Sequence, residues 1–232
     1  MARTLHLRKS RGDGPTEPGR FTIGMDGQWD IDDLTQFGES FRETYAYFYF
    51  VHPDTKKDRD RIRLLFTRYF WSGEYKGSAF AKYLYYNIPD ESRLQIASIR
   101  YASPGAMELM GYVAALLMIA KCTSMWAKAG TDVLELLERI GEFFKKKKLD
   151  RPMRNFNLDD IRGMDIDTAR GLLGEMGKYL GFSQKQVEHL VDLTGNPISA
   201  LRLMVALANE SKKVSEMIEH GKLKLPDPGK QV

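Results

Sequence analysis

The chain has 232 residues, 43% hydrophobic and 28% charged, which excludes disordered and collagen-like classes and supplies enough apolar surface for a substantial core. Its net charge of +4 is too small to select a partner by itself. The single cysteine, Cys122, rules out an internal disulfide and leaves no Cys/His quartet for structural zinc, which fits a reducing, cytoplasmic setting.

The opening residues, MARTLHLRKSRGDGPTEPG, are basic but contain no apolar run of about 7–15 residues, so no secretory signal is expected. Leu5 and Leu7 alternate with Thr4, His6 and Arg8. Phe21, Ile23 and Met25 alternate with Arg20, Thr22 and Gly24. Such period-two alternation predicts two strands, each with one apolar face. The glycines and prolines between them prevent regular structure, and Asp26-Gly27 predicts a tight turn before Trp29.

Helices follow. Asp30 or Asp32 is placed to cap a helix whose stripe is Ile31, Leu34, Gly38, Phe41, Tyr45 and Phe48, ending at Pro53. A second helix from about Thr55 would bury Ile62, Leu65, Phe66, Tyr69 and Phe70. Beyond Gly73 and Gly77 a short aromatic helix, FAKYLYYNI, runs up to Pro89. Sequence neighbours on a helix point in different directions, so some rings of the run Tyr45, Tyr47, Phe48, Tyr49 and Phe50 are expected outside the buried stripe. Rings so placed favour protein–protein contacts.

Residues 94–102 (LQIASIRYA) form the clearest strand pattern, with Leu94 and Ile96 on one face and Ala97, Ile99 and Tyr101 on the other. Both faces are partly apolar, which predicts a strand covered on two sides at one end. Ser103-Pro104-Gly105 has the form of a helix start, which predicts an apolar helix over 104–128. Its core, Leu109 to Ala120, is twelve uncharged residues bracketed by Glu108 and Lys121, short of the roughly 20 that span a bilayer. No membrane span is expected. Gly130 then ends the helix, and Thr131 caps an amphipathic one over 131–148 with Val133, Leu134, Leu137, Ile140 and Phe144 inside.

The polar, proline-containing stretch Lys145 to Asn157 suggests a boundary. Residues 1–148 would form an α+β domain, a small mostly antiparallel sheet packed by helices, and 149–232 an all-helical region with a disordered or extended tail. In the latter, Asp159 to Arg162, Ile166 to Leu180, Ser183 to Leu193 and Pro197 to about Glu219 all read as helix. Ser183 and Gln186 have capping-box spacing, and Gly195-Asn196-Pro197 separates two helices.

Motifs for chemistry are missing. There is no phosphate-binding glycine loop, no G-x-S-x-G elbow and no H-x-x-x-H pair, and no metal or cofactor is expected. Cys122 sits in the most apolar stretch, where burial quiets a thiol. Glu188, His189 and Asp192 read as the wet side of a helix, and Asp30, Asp32, Asp33, Asp159 and Asp160 as charges at helix starts. Cations are more suggestive. Lys145, Lys146, Lys147, Lys148, Arg151 and Arg154 against Asp150 alone give a net +5 over residues 145–154, and Arg3, Arg8, Lys9 and Arg11 add four charges over 3–11. Clusters of this kind bind phosphate backbones by counterion release, although lysines at a helix end also complement its dipole. A helix-turn-helix around Gly195 offers only Arg202 as a base reader.

These observations predict a non-enzymatic interaction or regulatory protein that works as a homo-oligomer, with a protein partner possible. Nucleic-acid binding through 3–11 and 145–154 is the alternative. An enzyme whose site assembles from dispersed residues is the third reading.

Overall fold

The computed structural model describes residues 18–52, 63–64, 66, 77–102, 104–147, 149 and 166–226. Along the chain these form β1 (Pro18–Met25), α1 (Ile31–Val51), α2 (Gly77–Tyr86), a 3-10 turn (Asp90–Ser92), β2 (Gln95–Arg100), β3 (Gly105–Tyr112), α3 (Val113–Lys146), α4 (Ile166–Tyr179), α5 (Gln184–Thr194), α6 (Pro197–Glu219) and β4 (Leu223–Lys224). The fold is α+β: one antiparallel sheet in the order β2-β3-β1-β4, covered by helices. The strand expected at Leu5, the helix from Thr55 apart from Arg63, Leu64 and Phe66, and residues Asp159 to Arg162 lie outside the described residues.

The sheet is built on β1 and β3, paired in register from Pro18↔Tyr112 to Met25↔Gly105. Alternation sends Phe21, Ile23, Met25, Met107 and Leu109 to the covered face, where all are buried. Arg20 and Glu108 lie on the opposite face and form a 2.8 Å ion pair. Here the sequence expectation of one helix over 104–128 is corrected, because residues 105–112 are the central strand β3 and the helix begins only at Val113. Pro104 and Gly105 belong to the turn that brings β3 back along β2. A Cβ at Gly105 would stand 2.8 Å from the Ala102 carbonyl oxygen and 2.9 Å from that of Arg100, so the hairpin requires glycine there. The segment Met107-Glu108-Leu109-Met110 satisfies both periodicities, and a partner strand with an apolar face decides between them.

Helix α1 opens with Asp30 as N-cap in a capping box with Asp33, as the carboxylate pattern suggests. Ile31 is nevertheless exposed, while every residue from Glu43 to Val51 is buried. This corrects the expectation that some rings of the Tyr45–Phe50 run lie off the buried surface. The second half of α1 packs against α2, α3, α5 and α6 and has no outer side. His52 closes it in the extended conformation that a residue before proline must adopt.

Helix α3 runs through Gly130, but Ala129 leaves helical geometry (φ −124°, ψ 24°), so a kink stands where a full break is expected. Its second half buries Val133, Leu136, Ile140 and Phe143 and exposes Leu134, one step around the helix from the stripe expected. The bidentate pair Arg139–Glu175 (2.8 and 3.1 Å) ties α3 to α4. Helix α5 begins at the expected Ser183–Gln186 capping box, and α6 follows Asn196 as N-cap with Pro197 in its first turn. Cys122 is buried and donates its thiol proton to the Leu180 carbonyl, and burial pushes the thiol well up from its ordinary value.

One buried side chain joins the layers. The Tyr45 hydroxyl on α1 accepts from the Tyr112 backbone N–H on β3 at 2.7 Å and donates to the Ser92 carbonyl at 2.5 Å. Gly111 is what lets the ring reach the strand, since a Cβ there would sit 3.0 Å from that hydroxyl. Removing the hydroxyl by Tyr45→Phe leaves the Tyr112 N–H and the Ser92 carbonyl without it, at a cost of about 1–3 kcal/mol. Urea unfolding should show a lower midpoint with an unchanged slope.

Candidate functional site

Two features break the pattern of apolar inside and polar outside, and neither contains a residue singled out from the sequence as a site. The first is the free edge of the sheet. All six residues of β2 are exposed, which corrects the expectation of a strand covered on two sides at one end. The strand also carries a bulge. Ile96 pairs with Leu109 and Ser98 with Glu108, so Ala97 is an extra residue on β2. Beyond it Ile99 pairs with Met107. Ile96 and Ile99 therefore project from the same face as the core residues of β3, not from opposite faces as simple alternation predicts. The covering helices do not reach them. Ile96, Ile99 and Tyr101 are 55, 48 and 68% exposed, whereas their neighbours Met107 and Leu109 are at most 1% exposed.

Tyr86 is exposed near the start of β2. It is 66% exposed, and Arg93, just before β2, donates to its carbonyl at 3.0 Å. Tyr86, Ile96, Ile99 and Tyr101 are four of the seven large hydrophobic side chains exposed among the described residues. Their concentration beside one edge strand makes this a patch rather than scattered exposure. The other edge is less open: β4 pairs with Gly24 and Met25, and at the far end of β1 Pro18 has no N–H to offer a new strand.

The second feature is a buried acid pair between α1 and α6. The side chains of Glu43 and Glu210 are 5 and 10% exposed. Lys213 donates to both carboxylate oxygens of Glu210 at 2.9 Å but stands 4.0 Å from Glu43. One lysine thus serves two carboxylates and is committed to one of them. Burial holds the Glu43 carboxyl above its ordinary value, with the Glu210 charge adding to the effect and Lys213, Lys82 and Arg42 opposing it. Burial, followed by the charges of Glu210 and Glu43, likewise pushes up the neighbouring Tyr47 phenol. The two carboxylates are buried between α1 and α6, and solvent reaches the cluster at Lys213. Sequence reasoning looked for acids close together in the chain and missed this pair, which is 167 positions apart (210 − 43). No local pattern marks the pair, since Glu43 stands between Arg42 and Thr44 and Glu210 between Asn209 and Ser211.

The residues that sequence reasoning did single out are dispersed. Lys145 and Lys146 are exposed in the last turn of α3 and Lys147 is half-buried, while Lys148, Arg151, Arg154 and the arm 3–11 lie outside the described residues. Pro197, Ile198, Ser199, Ala200 and Leu201, the start of the candidate recognition helix, are all buried in the core, so they cannot face a groove of DNA. Glu188 and Asp192 point to solvent, and no group of three metal-ligating side chains occurs among the described residues. Asp33 accepts from Lys222, which holds its carboxyl below the ordinary value and ties α1 to the chain entering β4. No single helix among the described residues is long and apolar enough to cross a membrane. The bent pair α5–α6 qualifies by length and composition alone, and many of its apolar side chains belong to the core.

Comparison of the chain with protein families, with curated proteins and with solved structures finds no match.

The acid pair has a measurable consequence. A native carboxyl held above its unfolded value of 4.5 binds its proton more tightly in the folded state. Its stabilising contribution is therefore complete below that pH and is lost as pH rises through the raised native value. Glu43→Gln, which cannot ionise, should melt above the parent at pH 7, and the difference should close on acidification below about 4.5. Lys213→Met should melt below the parent at pH 7, by on the order of 1 kcal/mol because water partly screens this lysine. Thermal unfolding across that pH range reads both.

Proposed function

We propose that this chain is a non-enzymatic interaction or regulatory protein of the cytoplasm that acts as an oligomer through the β2 edge of its sheet. The observation that carries the reading is the uncovered continuation of the core face onto Ile96, Ile99 and Tyr101. Soluble chains blunt their edge strands with charges, prolines or cover, because a free edge presents unpaired N–H and C=O groups to any passing strand. Apart from its bulge, β2 has little such protection. Arg100 is the only charge among its residues, and the strand contains no proline. An apolar patch on an open edge is the architecture of strand addition, in which backbone bonds supply affinity and side-chain pockets supply selectivity.

Two further features support the reading. Asp30 and Asp33 at the start of α1 are engaged in the capping box and in the tie to Lys222. The lone thiol is buried and hydrogen-bonded within the core, in keeping with a reducing compartment.

Sedimentation and light scattering test this directly. The parent chain should show a concentration-dependent rise in mass above that of one copy. The double substitution Ile96→Lys and Ile99→Lys should abolish the rise while moving the melting temperature little, since neither side chain fills the core. A chain monomeric at all accessible concentrations would sink the reading.

A further inference from the structure

We infer that the occupant of the β2 edge is β2 of a second copy, docked antiparallel about a two-fold axis that passes between Ala97 and Ser98. This rests on the reading above and goes further by fixing both the partner and the register. The inference comes from the order in which β2 presents its side chains. Pairing with β3 puts Ile96 and Ile99 on the covered face and Gln95, Ser98 and Arg100 on the other. Continuing the alternation outward puts Leu94, already packed against the core, and Tyr101 on the covered face. The bulge at Ala97 makes this order the same read in either direction.

An antiparallel edge contact between two copies requires opposed residues to lie on the same face. A strand of strict alternation meets that condition only when each residue number pairs with one of equal parity. Here the extra residue permits another solution. Ile96 falls opposite Ile99 of the second copy, Gln95 opposite Arg100, and Leu94 opposite Tyr101. Every large apolar group then meets an apolar group, and each guanidinium meets a neutral amide. Sliding the copies so that Ile96 opposes Ile96, or Ile99 opposes Ile99, sets covered-face residues against outer-face ones. One other register keeps faces matched, with Leu94 opposite Ile99, but it sets Arg93 opposite Arg100 and Tyr101 opposite Ser92, and like charges directly opposed are destabilising. Faces and charges together select the register with Ile96 opposite Ile99.

The small residues fall where the copies come closest, with Ala97 opposite Ser98 at the axis. A strand pair alone buries less than the roughly 1,200–2,000 Å² of a stable dimer. The exposed rings enlarge it. Tyr101 of the second copy lands on Leu94, next to Arg93 and the Tyr86 that Arg93 holds. Aromatic rings of this kind bury about 150–250 Å² each. The product is a continuous eight-stranded sheet in which Ile96 and Ile99 of both copies form one apolar strip.

Cysteine pairing tests the register. In the double variant Gln95→Cys, Arg100→Cys, the two new thiols of one chain are separated by about 16 Å of extended strand and cannot join. Across the axis each would face the other's counterpart at about 5 Å between Cβ atoms. Mild oxidation should convert most of the double variant to a covalent dimer and leave each single variant at the level of the parent, whose Cys122 is buried. Adding Ile96→Lys and Ile99→Lys to the double variant should abolish the cross-link. If scattering shows an oligomer but the double variant does not link, or a single variant links equally well, this register is overturned and the oligomer reading stands. If the parent is monomeric throughout, both fall.

Discussion

The second half of α1 has to be enclosed on every side, and most of the architecture answers that requirement. From Glu43 to Val51 the helix presents aromatic and aliphatic groups around its whole circumference. A helix of this kind cannot rest on a sheet with its back to water. The sheet meets it at the end of β3, where Gly111 lies against the Tyr45 ring and Tyr112 packs edge-on against Tyr49, and α2, α3, α5 and α6 supply the other walls. Tyr45 locks the arrangement by joining α1 to β3 and to the turn before β2, while Lys222 and Asp33 bring the end of the chain back to the start of α1.

Enclosing α1 has two consequences for function. Helical cover is concentrated over β1 and β3, and the apolar face of the sheet continues onto β2 without it. The bulge at Ala97 sharpens this effect. Without the extra residue, Ile99 would turn to the outer face and Ile96 would be alone; with it, both belong to the core side and neither is in the core. The other consequence is the pair Glu43–Glu210. Closing α6 over α1 carries a carboxylate from each helix into the interface with one lysine between them, so the packing stores a preference for the protonated form of Glu43. This cluster lies between two packed helices, whereas the edge of the sheet offers an exposed apolar surface.

Local chemistry made much of the chain legible. The capping boxes of Asp30 and Ser183, the Asn196-Pro197 helix start, the turn at Asp26-Gly27 and the stripe of α4 all depend on residues within a few positions of one another. Their geometry is the same wherever the segment lies, so sequence pattern determines them. The α+β class follows for the same reason, from period-two alternation in β1 and helical periods elsewhere. Cys122 in an apolar run was also readable, because hydrophobic neighbours on both sides of a thiol imply burial.

What tertiary structure alone decided concerns residues whose state depends on a distant partner. Gly105 to Tyr112 is compatible with helix or strand by its own pattern, and β1, eighty or more positions earlier, makes it a strand. The faces of β2 depended on where its bulge fell, which is set by the ladder with β3 and not by the order of polar and apolar letters. The exposure of Ile96, the burial of Tyr47 through Phe50 and the meeting of Glu43 with Glu210 likewise reflect how many elements pack at one place. A sequence records periodicity and caps because these are short-range. It leaves open which faces are finally covered, because cover is supplied by segments whose position no local rule contains.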